Sequence, residues 1–213
     1  MTTPVPVDGL DPLLAEVDGR RMAATVATLA GVPFAGRRVG TPGGAAARAW
    51  LGQQLADLDA TVDFAAFPVT AVALLDGEET GALGSAQHAA QLRRDGVAPL
   101  VINVDGAGHL RPAAAVEAGG PAHALLAALD QAGRHTGLPL VAGPVASDNR
   151  RYAAAGLATV GIGAGMAGYH SPADTPDRVD TATMTALARL VVANGWLAAR
   201  TPAKVSSSIG DRR

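Results

Sequence analysis

The chain contains no cysteine, which excludes disulfides, thiolate nucleophiles and cysteine-ligated metal sites. Only 3% of the residues are aromatic, so we expect a closely packed core of alanine, valine and leucine. The formal net charge of −2 gives no electrostatic reason to bind nucleic acid or an anionic membrane. No secretory signal and no bilayer-length apolar stretch is apparent, so we expect a cytoplasmic protein with no nucleic-acid or membrane partner.

The 213 residues are enough for a single α/β domain, which we place over residues 1–200, with a disordered polar tail at 201–213. Apolar periodicity predicts helices and strands that alternate along the chain. The predicted helices are 11–30, 42–58, 82–94, 121–136, 147–155 and 181–197, and the predicted strands are 61–69, 71–75, 100–104 and 158–162. This alternation predicts a three-layer α/β/α sandwich with a mostly parallel central sheet.

Polar residues follow three of the predicted strands. Glu78 and Glu79 come after the strand ending at residue 75, Asp105 follows residue 104, and His170 follows the strand ending at 162. Ligands of such sheets bind beyond the carboxyl ends of the strands, so these side chains are expected at one edge. There one carboxylate can bind a metal ion while its neighbour moves a proton.

Each of these residues taken alone also fits an ordinary structural role. The two glutamates fit a solvated turn that starts a helix, where acidic residues are favoured. Asp105 fits a turn residue that caps its own backbone, and His170 fits a surface loop. The pair Asp148-Asn149 fits the start of the helix that follows. The order of the residues along the chain therefore carries more weight than any single residue.

Several segments resemble motifs of the zinc aminopeptidases, family twenty-eight of the metallopeptidases, which includes bacterial leucyl-type aminopeptidases and, more distantly, glutaminyl cyclases. The similar segments are 36–43, 76–85 with its Glu-Glu pair, 103–108 with Asn-x-Asp, 147–149 and 169–177. The resemblance implies a shortened version of that family's fold. It also implies that Glu78 is the general base, that Glu79 and His170 ligate one zinc ion, and that Asp105 ligates a second.

The resemblance further implies supporting residues that face the substrate or hold the ligands in place. These are Asp76, Asp148, Asn149 and Tyr169.

The family's first metal-binding segment has no counterpart in this chain. The chain contains no His-x-Asp, and its one Asp-Asn pair, Asp148-Asn149, occupies the place of the family's Ser-Asp-His. Two zinc ions close together need a bridging anion, and a catalytic zinc ion usually has three protein ligands. We therefore expect at most one zinc ion, or a metal-free cleft in which the crowded carboxylates raise one another's pKa.

Three functions remain open at this stage. The first is an aminopeptidase-type hydrolase that acts on a small peptide or an amide-containing molecule. The second is a metal-independent biosynthetic enzyme, such as a cyclase or isomerase, that uses the same carboxylates. The third is a non-catalytic binding protein. A shortened sheet would also expose a strand edge at 71–75, and a homodimer through that edge would cover it.

Overall fold

The computed structural model describes residues 6–58, 71–73, 75 and 77–201. Within these residues, helices precede and surround a four-stranded sheet. The helices are α1 (Leu10–Ala15), α2 (Gly19–Leu29), α3 (Pro42–Ala56), α4 (Leu83–Arg94), α5 (His123–Thr136), α6 (Asn149–Ala154) and α7 (Thr181–Arg200). The strands are β1 (Val101–Ala107), β2 (Ala114–Gly119), β3 (Leu140–Ala142) and β4 (Thr159–Gly165). Short 3-10 helices cover Val32–Arg37 and Pro176–Arg178.

The four strands are arranged in the order β1-β4-β2-β3. The pairs β1–β4 and β2–β3 are parallel, whereas β2 and β4 run antiparallel. In the β1–β4 pair, Val101 lies opposite Thr159 and Asp105 lies opposite Gly163. The sheet is therefore mixed but mostly parallel, and it brings the ends of β1 and β4 together.

The sheet is covered on both faces. On one face α1, α5 and α7 form the main core with β4, whose Val160 and Ile162 are fully buried. A smaller cluster on α4 and α6 contains Ala89, Tyr152 and Leu157, and it packs near the start of β1. This arrangement confirms the α/β fold class that the sequence predicted.

Capping residues explain where the helices begin. The hydroxyl of Thr41 accepts a hydrogen bond from the amide of Gly44, and Pro42 occupies the first turn of α3, as the sequence predicted. The single helix predicted over 11–30 is wrong. The carboxylate of Asp18 accepts a 2.8 Å hydrogen bond from the amide of Arg20 and so starts α2 as a separate helix.

The sequence analysis missed two strands, β2 and β3. It also ended the other two strands too early: β1 continues to Ala107, so Asp105 lies within this strand and not after it, and β4 continues to Gly165. The strand ends are therefore set by the pairing between β1 and β4 and not by the apolar runs alone.

The strand predicted over 71–75 is wrong for residues 71–73 and 75, which have no regular structure. A short apolar run does not specify a strand unless a neighbouring strand pairs with it. Residue 74, the strand predicted over 61–69 and the tail after residue 201 lie outside the described residues. The homodimer that the sequence analysis based on this segment stays a prediction.

Helix α7 is long and apolar enough, by length and composition, to cross a membrane, which the sequence analysis did not expect. Core helices pass the same test. The side chains of Leu187, Leu190 and Leu197 are buried in the main core, where α7 contacts α5, α1 and α2. Its apolar composition is therefore explained by packing within the domain.

Two adjacent leucines of α5 provide a test of this packing. Leu125 is 0% exposed, whereas Leu126 is 36% exposed. We expect Leu125→Ala to lower the free energy of unfolding by about 2–5 kcal/mol because it leaves a cavity in the core. Leu126→Ala should cost less than about 1 kcal/mol. Urea unfolding measures both variants, and equal losses would contradict the described orientation of α5.

Candidate active site

Glu78 and Glu79 lie in a tight turn that leads directly into α4. The carbonyl of Glu78 accepts hydrogen bonds from the amides of Gly81 and Ala82 at 3.0 and 2.8 Å. Gly77, just before the pair, has a φ of +78°, in the left-handed region that glycine enters without strain. The glycine turn therefore orients the two carboxylates.

Glu79 makes a direct contact with His170, which lies in the long loop after β4. The Oε2 atom of Glu79 and the Nε2 atom of His170 are 2.7 Å apart. Both side chains are more than half exposed, so the pair contributes little to stability. The ring of Tyr169 stacks on the imidazole at a centroid distance of 3.7 Å. This contact connects the turn before α4 to the loop after β4.

Glu78 lies deeper in the site than Glu79. Partial burial raises the pKa of the Glu78 carboxyl, and the negative charges of Asp105, Glu79 and Asp148 raise it further. The nearby Ser147 side chain acts in the opposite direction and lowers this pKa. A carboxylate whose pKa is raised towards neutrality is a better proton acceptor and donor in catalysis. Glu78 thus has the environment expected of a general base.

Asp105 shares this environment from the neighbouring strand. It lies opposite Gly163 in the β1–β4 pair, and its charge acts on both Glu78 and Tyr169. Burial raises the pKa of the Tyr169 hydroxyl, and the charges of Glu79, Asp105 and Glu78 add to this effect. Tyr169 therefore keeps its proton and is able to donate a hydrogen bond.

Asp148 occupies the position before α6, but its side chain does not cap that helix. Its Oδ1 atom instead accepts a 2.5 Å hydrogen bond from the hydroxyl of Ser85 on α4. Burial and the charge of Asp148 raise the pKa of Tyr152 to about 12, and the Tyr152 hydroxyl lies 2.7 Å from Nδ1 of His88. Asp148 therefore joins α6 to α4 behind the carboxylate cluster.

Asn149 packs against the sheet. Its Oδ1 atom accepts a hydrogen bond from the amide of Ser147 at 3.2 Å, and its side chain is buried. A Cβ atom at Gly161 of β4 would lie 2.8–3.0 Å from the Asn149 amide group, so only glycine leaves room for this side chain. Asn149 supports the loop before α6, and its hydrogen bond with the Ser147 amide does not involve the carboxylates of the site.

The structure brings most of the predicted site residues to one end of the sheet. The hydrogen bonds and charge interactions above connect Glu78, Glu79, Asp105, Asp148, Tyr169 and His170. Asp76 lies outside the described residues. The sequence analysis assigned no role to Ser85 or Ser147, although both lie in the motif segments that it identified. Both serines stand in the same motif segments as acidic site residues, and this was the feature of the sequence that could have pointed to them.

The types of donor atom at this site suit a zinc ion, but fewer donors lie together than a catalytic zinc ion usually has as ligands. A glutamate oxygen and a histidine nitrogen, as in Glu79 and His170, are common zinc ligands. Within the described ranges, however, no three histidine, aspartate or glutamate side chains lie close enough together to hold a metal ion. The described residues therefore bring two zinc-type donors together but form no three-ligand site.

A cavity of about 180 Å³ lies beside the loop that carries Tyr169 and His170. Its lining is mostly apolar and includes Val26, Met166 and Met184. A larger open groove of about 580 Å³ runs between α4 and α6, and neither lining contains a predicted site residue. The smaller cavity is the better placed of the two for a substrate group, because Met166, Ala167 and Asp174 in its lining flank Tyr169 and His170 in sequence.

Comparison with solved structures identifies the fold as that of an aminopeptidase. The chain is similar to the LapA aminopeptidase of Legionella pneumophila at 12% identity and a TM-score of 0.77, covering 94% of this chain and 76% of that chain. A second LapA structure gives 12% identity, a TM-score of 0.75 and coverages of 94% and 78%. BSAP, a zinc aminopeptidase from Bacillus subtilis, matches at 18% identity and a TM-score of 0.50, over 56% of this chain and 33% of that chain.

The family model of peptidase family M28 matches residues 51–194, and the chain belongs to that family. The matched residues contain both site glutamates as well as Asp105, Asp148 and His170. This confirms the family resemblance described above. A search of curated proteins gave no match.

The hydrogen bond between Ser85 and Asp148 can be tested by a double-mutant cycle. Ser85→Ala leaves the buried Asp148 carboxylate without this donor, so we expect a loss of about 1–3 kcal/mol in the free energy of unfolding. In an Asp148→Ala background the same change should cost less. Ser171→Ala, which removes an exposed hydroxyl, is the control. Equal costs of Ser85→Ala in both backgrounds would show that the pair contributes nothing.

Proposed function

We propose that the protein is an aminopeptidase-type hydrolase that cleaves a peptide or amide bond in a small substrate. The raised pKa of Glu78, in a cluster with Glu79, Asp105 and Asp148, is the observation that carries the proposal. Membership of peptidase family M28 supports a peptidase-type reaction. The finer assignments below rest on the geometry of the site.

Glu78 has the central role in the proposed reaction. Its carboxylate accepts a proton from a water molecule as the water oxygen attacks the carbonyl carbon of the amide bond. The resulting tetrahedral intermediate collapses when the carbon–nitrogen bond breaks. Glu78 then gives its proton to the leaving nitrogen, so that the carboxylate is restored. The raised pKa of Glu78 makes its carboxylate a stronger base for the first proton transfer.

Tyr169 is the proposed donor to the carbonyl oxygen. Its hydroxyl stays protonated because both burial and the surrounding carboxylates raise its pKa. A donor that is already in place stabilises the negative charge that develops on this oxygen. The stacking of Tyr169 on His170 restricts the orientation of its ring.

Glu79 and His170 are the proposed ligands of at most one divalent metal ion. A bound zinc ion would polarise the substrate carbonyl and lower the pKa of a bound water molecule. In the absence of such an ion, the two side chains partner each other directly.

The apolar cavity beside Tyr169 is the proposed subsite for the substrate side chain. Its volume of about 180 Å³ and its lining by Met166, Met184 and Val26 favour a small or medium apolar group. We therefore propose substrates with alanine-like to leucine-like side chains next to the cleaved bond.

Glu78→Gln tests the proposed reaction. The amide cannot accept the proton, so kcat/KM for leucine and alanine p-nitroanilides should fall by about 100- to 10,000-fold. Glu16→Gln, at an exposed glutamate after α1, should leave the rate unchanged. In the wild type, kcat/KM should rise with pH through a pKa above 4.5, because only the ionised form of Glu78 acts as a base. Undiminished activity of Glu78→Gln would rule out this role.

A second candidate is metal-independent acid–base chemistry in the same cleft, because the chain has no His-x-Asp segment of the kind that holds the family's first metal ion. Exhaustive chelation distinguishes the two candidates. If amide hydrolysis is lost on chelation and restored by zinc, a metal-assisted hydrolase is supported. If full turnover persists after chelation, the metal-independent enzyme is supported.

A further inference from the structure

Glu117, in the middle of β2, makes an unusually complete set of hydrogen bonds. Its Oε2 atom accepts from the backbone amides of Val145 and Ala146 at 2.7 and 2.8 Å. Its Oε1 atom accepts from Nε of Arg150 at 2.7 Å. A single side chain thus holds two consecutive amides of the loop before α6 together with an arginine from the first turn of that helix.

The loop depends on this carboxylate because its backbone is not in a relaxed conformation. Ala146 has a φ of +59°, in the left-handed region that residues other than glycine rarely enter. The amides of Val145 and Ala146 both point at one oxygen, an arrangement that favours an anion. Although burial alone would raise the pKa of Glu117, the hydrogen bonds from Arg150 and from these amides lower it to about 2. Glu117 is therefore negatively charged at any working pH.

The residues directly after this loop belong to the proposed active site. Ser147 is buried, and its amide donates a 3.2 Å hydrogen bond to Oδ1 of Asn149. Asp148 accepts the hydrogen bond from Ser85. Both residues follow Ala146 immediately, so a change in the backbone at Val145 and Ala146 would displace both of these side chains.

We propose that Glu117 is a positioning residue, which fixes the loop at Val145 and Ala146 so that the Asp148 carboxylate is held against the Ser85 hydroxyl, in the cluster with Glu78. This inference rests on the proposed function, in which Glu78 is the base. Glu117 does not touch the substrate. It acts through the backbone of the loop, across 28 residues of sequence.

Three variants separate this role from that of an ordinary ion pair. Glu117→Gln keeps an oxygen for the two amides but turns its NH2 group towards Arg150, so one donor faces another. Arg150→Met removes the guanidinium and keeps the carboxylate. The combined variant, Glu117→Gln/Arg150→Met, has no guanidinium to face the glutamine NH2 group, so the conflict between these two donors is removed. Asp130→Asn, which breaks the exposed ion pair with Arg134, is the matched control.

The first measurement is hydrogen exchange together with steady-state kinetics. In Glu117→Gln, exchange at residues 143–150 should be at least about 10-fold faster, with no change in α5 and α7. The kcat for leucine p-nitroanilide should fall about 10- to 100-fold with little change in KM. Arg150→Met should have a small effect, and the combined variant should recover much of the loss. Asp130→Asn should change neither quantity.

The second measurement does not require activity and so separates this proposal from the proposed function. Ser85→Ala and Asp148→Ala should be coupled in urea unfolding of the wild type, and this coupling should vanish in a Glu117→Gln background. If Glu117→Gln does not fold, Glu117→Asp, which shortens the side chain but keeps the charge, replaces it.

Three results would overturn the proposal. These are unchanged exchange at residues 143–150, faster exchange with an unchanged kcat, and coupling between Ser85 and Asp148 that survives in the Glu117 variant. If the wild type does not hydrolyse the amides, the proposed function fails, and the exchange and coupling measurements still decide the role of Glu117.

Discussion

The parallel pairing of β1 with β4 is the constraint on which the rest of the site depends. It sets Asp105 opposite Gly163, so the carboxylate of β1 and the loop after β4 meet at one end of the sheet. Two glycines of β4 allow this close approach. A Cβ at Gly163 would lie 3.1 Å from the carbonyl oxygen of Asp105, and one at Gly161 would meet the side chain of Asn149. The register and these small residues together define the site.

The clustering of four carboxylates at this end of the sheet carries an electrostatic cost, and the surrounding polar groups offset it. Glu79 contacts His170, and Asp148 accepts a hydrogen bond from Ser85. The most exposed carboxylate has a histidine partner, and the buried one has a hydroxyl partner. The negative charges of Asp105, Glu79 and Asp148 raise the pKa of the Glu78 carboxyl. Glu78 is therefore the residue proposed to accept and return the proton.

Local signals in the sequence predicted much of the fold. Thr41 and Pro42 marked the start of α3, and the helix predicted over 181–197 is present as α7, which packs on the main core. The strand β2, with the sequence Ala-Ala-Val-Glu-Ala-Gly, has a single β-branched residue and was missed, and β3 has only three residues. The motif segments identified the acidic residues of the site. The role of Glu117 was not predictable, because it depends on contacts with residues about 30 positions away that only the folded sheet provides.

The central claim is that Glu78 and Glu79 form a hydrolytic pair whose cleft holds at most one metal ion, between Glu79 and His170. Equilibrium dialysis against zinc, followed by metal analysis of the wild type and of His170→Ala, tests this claim most directly. The account predicts no more than one zinc ion per chain and loss of that ion in His170→Ala. Two tightly bound ions in the wild type, or a single ion that His170→Ala leaves in place, would contradict it.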